Sequence, residues 1–215
     1  MSPDDAPRAI IPPDAATSAL VRFAARIAAG SEEAMREGSA DCVAAGVPVA
    51  WVEELILQSY LFCGFPRTLN AMREWRRVSG IEAPPPGVPS GDGDLARWRA
   101  DGEGTCGVVY GRFYEKLRHN IVALHPALDE WMIVEGYGKI LSRPALPLPV
   151  RELCIVAACV ASEQERQLHS HLHGALNAGV PAADLRGALA ALDGAVPADA
   201  LVKAQLLLAR VLGKS

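Results

Sequence analysis

Four side chains in the second half of the chain have types and spacing that could do chemistry: Glu152, Gln164, Gln167 and His171. Positions 164, 167 and 171 follow an i, i+3, i+7 pattern. At about 100° per residue this puts them on one helix face. Leu168, Leu172 and Leu176 form the neighbouring apolar stripe, so the polar face is expected at the edge of the core. Glu152 belongs to the preceding apolar segment. If the two helices run antiparallel, its carboxylate reaches the same space. A carboxylate beside an imidazole favours the protonated ring, and such a pair suits a general acid or base near neutral pH. The other reading is a buried Glu–His pair, satisfied by the glutamine amides, that only fixes helix packing. Residue types alone leave both open.

Other groups carry weaker signals. His169 and His173 have the i, i+4 spacing of two metal ligands, but they point about 200° away from His171. With no third ligand beside them, a solvated or subunit-contacting face is expected and no metal site. The five cysteines, Cys42, Cys63, Cys106, Cys154 and Cys159, are odd in number and include no pair at two-residue spacing. They read as buried apolar residues and not as a disulfide framework. Cys159 lies seven residues after Glu152 on nearly the same face, in apolar surroundings that would raise its pKa. Tyr137, Lys139, Arg143 and Arg151 surround a proline-rich joint, where they could bind an anionic substrate or be ordinary surface charges.

The elements that must position these groups read as helices throughout. Ala and Leu are abundant and aromatics make up only 6% of the 215 residues, which favours an all-α fold. Residues 1–16 hold four prolines and read as a flexible tail. A first helical unit spans 17–79: a helix over Ala15 to Ala29, another capped by Ser31 and stopped by Gly46, and a third broken at Gly64-Phe65-Pro66. Residues 80–109 contain Pro84, Pro85, Pro86, Pro89 and several glycines, and read as a connector with one short helical piece near Leu95 to Ala100. A second helical unit spans 110–215. In it Ser162-Glu163-Gln164-Glu165 has the form of a capping box, predicting a helix start with Ser162 as N-cap. Asn177-Ala178-Gly179 supplies the stop.

The two units repeat one another. Ala44-Ala45-Gly46-Val47-Pro48 matches Asn177-Ala178-Gly179-Val180-Pro181 at an offset of 133 residues. At that offset Glu152 falls on Ala19, Gln164 on Ser31, Gln167 on Ala34 and His171 on Gly38, so the first copy is chemically bare. Duplicated helical units usually pack together, because the same apolar face recurs.

Bulk properties exclude several classes. Half of the chain is apolar, enough for a sizeable core, and the net charge is −4. No basic stripe points to nucleic acid. No apolar run approaches the roughly 20 residues of a membrane span. No apolar signal segment opens the chain, so a cytoplasmic protein is expected.

The motifs resemble the carboxymuconolactone decarboxylase family, which includes the alkyl hydroperoxidase D proteins. The likeness rests on Arg151-Glu152-Leu153 and on Q-L-x-x-H-x-x-G-A-L-N-x-G from Gln167 to Gly179. It extends upstream through Tyr137-Gly138 and Leu141-Ser142-Arg143-Pro144, and more weakly into Glu53 to Ala71. The resemblance implies an alkyl hydroperoxidase D-like helical fold assembled into trimers or hexamers. In the peroxidase branch two cysteines stand between the Glu and the His. Here those positions are Gln164 and Gln167, which cannot attack a peroxide. The chain is therefore more similar to the decarboxylase branch, whose lyase chemistry needs no cofactor. That likeness implies a small carboxylated lactone or related ring-cleavage product as substrate. His171 would be the proton donor and Glu152 the residue that orients it. Gln164, Gln167 and Tyr137 would contact the substrate, and Arg151 or Arg143 would pair with its carboxylate. The alternatives are a non-catalytic oligomeric scaffold and a peroxiredoxin-like antioxidant protein that lacks the usual cysteine pair.

Overall fold

The computed structural model describes residues 14–85, 87, 91 and 93–213. The expected tail lies outside them, apart from its last three residues. All regular structure among the described residues is helical.

The chain begins with α1 (Ala15–Ala29), α2 (Glu32–Ala44) and α3 (Val49–Ser79). Asp14 caps α1 by accepting from the Thr17 N–H, and Ser31 caps α2 by accepting from the Ala34 N–H. Gly64, with φ 77°, breaks α3 into two arms where the sequence predicted an interruption. After the proline-rich stretch come α4 (Asp94–Tyr110), a single 3₁₀ turn, α5 (Tyr114–Leu124) and α6 (Pro126–Trp131). The last of these continues as a ten-residue π-helix, Met132–Leu141. Four helices complete the chain: α7 (Leu148–Ala161), α8 (Glu165–Asn177), α9 (Ala182–Ala190) and α10 (Ala198–Leu212).

The 133-residue offset reappears in the helix boundaries. The first residues of α1, α2 and α3 lie 133 positions before those of α7, α8 and α9. Both Gly46 and Gly179 take positive φ at the equivalent turns, 65° and 94°. The two central helices, α1 and α7, pack on each other. Every residue of α7 from Arg151 to Val160 is buried. Phe23, Leu20 and Ile27 of α1 and Ile155 and Leu172 of the second unit sit in one continuous core. Each such side chain contributes about 1.5–3 kcal/mol on leaving water.

Two sequence expectations change here. Much of the expected 80–109 connector is helix α4, which lies against the π-helix. A methyl group on Gly102 would collide with the Ile133 carbonyl, and one on Gly138 with the Trp98 carbonyl. These glycines are thus contact points where two helix backbones meet, although in sequence they resemble loop punctuation. The capping box at Ser162 is also absent. Ser162 ends α7, its hydroxyl donating back to the Ala158 carbonyl, while Glu163 turns through φ 53° and Gln164 becomes the N-cap residue. The reversal between α7 and α8 is too tight for Ser162 to belong to the second helix.

Candidate active site

The turn between α7 and α8 folds the two helices against each other, so that the second turn of α7 meets the middle of α8. This brings His171 Nδ1 to 2.9 Å from Glu152 Oε2 across 19 residues of sequence. Glu152 is 0% exposed and His171 5%. Gly174, one turn beyond His171, makes the approach possible: a Cβ there would lie 2.8 Å from Glu152 Oε2 and 2.7 Å from a Val109 methyl. The other carboxylate oxygen, Oε1, is buried and has no hydrogen-bond partner among the described residues. A carboxylate accepts, so the imidazole donates through Nδ1 and leaves Nε2 for an occupant of the site.

His171 lines a hollow of about 550 Å³. Aromatic rings dominate its wall: Tyr60, Phe62, Tyr110, Trp131 and Tyr137, with the Phe62 ring edge-on to His171 at 5.8 Å. The π-helix supplies Met132, Glu135, Gly136, Tyr137 and Leu141 to this wall. Wide helical turns of this kind are frequent at functional sites. Glu135 accepts from the Tyr60 hydroxyl at 3.2 Å and lies 3.5 Å from Lys139 Nζ. Among the described residues, no lysine or arginine lines the hollow.

Burial pushes the Tyr110 phenol up to about 12, and Glu152 contributes in the same direction. Burial raises Tyr137 well above the ordinary tyrosine range, with the Tyr110 and Glu152 charges adding to it. Both phenols keep their protons at neutral pH. The thiols nearest the carboxylate, Cys106 and Cys159, are pushed up to about 12, chiefly by burial. All five cysteines are free, and all but Cys63 are buried, as the sequence suggested.

Of the residues singled out in the sequence, the structure brings Glu152, His171 and Tyr137 together. It does not bring the others to them. Gln164 and Gln167 stand exposed at the start of α8, beside Glu165, Arg166 and His169 on a separate surface depression. The reason is local: Gln164 precedes the helix, so the i, i+3, i+7 stripe loses its first member. Arg151 is fully buried on the far side of α7. Its guanidinium donates to the carbonyls of Leu146 and Arg143, to Gln58 Oε1 and to Glu54 Oε2. Arg143 donates to the same Glu54 carboxylate at 2.9 Å. Burial alone would raise Glu54, but the two guanidiniums together hold it below its ordinary value. Both arginines are thus engaged with α3 and not with the hollow.

Sequence reasoning missed Tyr60, Phe62, Tyr110, Trp131 and Glu135, because they come from three segments that periodicity could not assemble. The one available signal was the enrichment of scarce aromatics in Tyr60-Leu61-Phe62 and near Tyr137. The bareness of the first copy also has a cause. A Cβ on Gly38, the counterpart of His171, would lie 2.5 Å from the Phe23 ring. That phenyl group occupies the space which the second copy gives to imidazole. His169 and His173 pack edge-to-face at 4.9 Å on the other side of α8, and no cluster of three or more metal-binding residues occurs among the described residues.

Comparison with known proteins bears on the same region. Residues 126–209 match the carboxymuconolactone decarboxylase family model, a stretch that includes the π-helix, Glu152 and His171. Peroxisomal protein 2 of Schizosaccharomyces pombe (strain 972 / ATCC 24843) is 32% identical over 133 residues. The alignment covers 60% of each protein, so the chain spans only that share of the curated relative it matches.

Proposed function

The chain carries a carboxymuconolactone decarboxylase family domain at residues 126–209, and on that premise we propose that it is a cofactor-independent acid–base enzyme of the carboxy-lyase type. Its substrate would be a small carboxylated lactone or a related ring-cleavage product. The observation that carries this reading is the buried Glu152–His171 pair, whose imidazole lines an aromatic hollow. A purely structural pair has no need of such a cavity.

In this mechanism the bond between ring carbon and carboxylate breaks, and CO₂ leaves. The electron pair passes through the conjugated system to a carbonyl oxygen. Protonated His171 then delivers the Nε2 proton to carbon, and a solvent proton restores it, so one proton is consumed for each CO₂ released. Glu152 holds the ring by Nδ1 and balances its charge. A lining without lysine or arginine among the described residues suits the reaction. A guanidinium on the departing carboxylate would stabilise the ground state more than the transition state, in which that charge has dispersed. A peroxidase reading needs a thiolate, and burial of Cys106 and Cys159 supports none.

The proposal includes a homo-oligomer, trimeric or hexameric. Helix α5 buries none of its residues, while Leu124 is 73% and Trp131 60% exposed nearby. Apolar groups so grouped favour a covering partner, and sedimentation would read its size. No described helix is long and apolar enough to cross a membrane. A cytoplasmic location belongs to the same proposal, and fractionation against a peroxisomal marker tests it. The test of the chemistry is His171→Gln. Turnover of a substrate found by screening ring-cleavage acids should fall about 100-fold or more. Unchanged turnover would remove His171 from the mechanism.

A further inference from the structure

Among the described residues that line the hollow, Glu135 of the π-helix is the one carboxylate, and the proton transfer just described does not use it. Its Oε2 is occupied. The Tyr60 hydroxyl donates to that oxygen at 3.2 Å, and Lys139 Nζ lies 3.5 Å from it. Both partners are themselves held in place. The Tyr60 ring stacks on Phe65 with centroids 4.9 Å apart. The Lys139 ammonium sits 5.0 Å over the Trp98 ring, outside the lining of the hollow. Oε1 of Glu135 accepts no hydrogen bond from the described residues. A carboxylate can accept on both oxygens, and here the protein engages only one. Around it the wall is mostly aromatic and aliphatic, the kind of surface on which a few placed polar groups orient a small ligand.

From this arrangement we propose that Glu135 is a specificity-determining residue, which through Oε1 accepts a hydrogen bond from a hydroxyl group of the substrate. This rests on the acid–base reading of the site and deepens it by naming the substrate class: a ring-sized monocarboxylate that carries a hydroxyl. A hydroxyl is favoured over charged groups for two reasons. A second carboxylate on the substrate would set lone pairs against lone pairs, with no lysine or arginine among the described lining residues to offset the repulsion. An ammonium group would meet Lys139, whose charge already stands beside the other oxygen of the same carboxylate. A neutral O–H meets neither penalty, and its bond to a carboxylate is charge-assisted. The Glu135 side chain is 44% exposed, so water competes for Oε1 and the preference is moderate.

Binding of probes that share one skeleton tests this without turnover. Benzoate, its three monohydroxy isomers, terephthalate and para-aminomethylbenzoate are titrated calorimetrically into wild type, Glu135→Gln and Glu135→Met, with helicity checked for each. The best hydroxybenzoate should bind wild type about 3–10-fold more tightly than benzoate, the worth of one hydrogen bond at a half-exposed acceptor. Terephthalate and para-aminomethylbenzoate should bind no more tightly than benzoate. Glu135→Met should bind benzoate as wild type does, which shows the hollow intact, and should lose the hydroxyl preference. Glu135→Gln should keep part of it, because the amide oxygen still accepts. No preference for a hydroxyl in wild type, the same preference in Glu135→Met, or tighter binding of either charged derivative overturns the assignment, as does the absence of saturable binding to wild type. Each of these results concerns Glu135 alone. The role of His171 stands or falls on the separate turnover measurement.

Discussion

Gly174→Ala offers the sharpest check on how the site is built. The added Cβ would lie 2.8 Å from Glu152 Oε2 and 2.7 Å from Val109 Cγ1, whereas ordinary contact begins at 3.4 Å. Something must retreat by about half an ångström. Val109 and Glu152 are 1% and 0% exposed, so neither has solvent to move into. The atom under most direct pressure is the one that accepts from His171, at 2.9 Å. Losing that charge-assisted bond costs about 1.5–3 kcal/mol. Crowding adds about 1–3 kcal/mol, and the better helix propensity of Ala returns about 1 kcal/mol. The net loss is about 2–5 kcal/mol, equivalent to a fall in Tm of roughly 5–15 °C for a chain of this size. The control is Gly104→Ala, also inside a helix but with no neighbour within 4 Å, which should stabilise the protein by about 0.5–1 kcal/mol. Thermal and urea unfolding read the stabilities, and ¹⁵N chemical shifts of the His171 ring read the hydrogen bond. A Gly174→Ala protein that melts with wild type and shows unchanged His171 shifts would refute the steric argument.

Further outcomes follow from the same geometry. Glu152→Gln keeps the shape of the side chain but removes its charge, so turnover should drop about 100-fold while circular dichroism stays unchanged; full activity would show that the carboxylate does not tune His171. Gly138→Ala places a methyl against the Trp98 carbonyl, separates the π-helix from α4 and should cost about 3 kcal/mol or more, measured by urea denaturation. Arg151→Met leaves the buried Gln58 Oε1 without its donor and removes one of the two guanidiniums on Glu54, and should destabilise by about 3 kcal/mol. Glu54 itself has a folded-state pKa below its unfolded value near 4.5. Its stabilisation is therefore complete above that value and is lost as pH falls through the folded pKa. Glu54→Gln should flatten this acid limb of the stability curve; an unchanged limb would assign it to other carboxylates.

The helical class, the stops at Gly46 and Gly179, the Ser31 cap and the duplication were legible in the sequence because each is a local property. Periodicity, backbone freedom at glycine and a repeated five-residue pattern need no knowledge of distant residues. The pairing of Glu152 with His171 was legible for a related reason: a short reversal between two helices leaves few ways to place residues 19 apart. What the wall of the hollow contains was a different matter. Tyr60, Tyr110 and Tyr137 meet only because α3, α4 and the π-helix converge, and nothing in any one segment specifies the other two. Arg151 and Arg143 show the same limit from the opposite side. As sequence they are free cations next to a joint, and only the fold reveals that a carboxylate almost a hundred residues away has claimed both. Gly102 and Gly138 carry the reason in its simplest form. A glycine that opens a turn and a glycine that lets two backbones touch are the same letter, and the difference lies in what packs against the missing side chain.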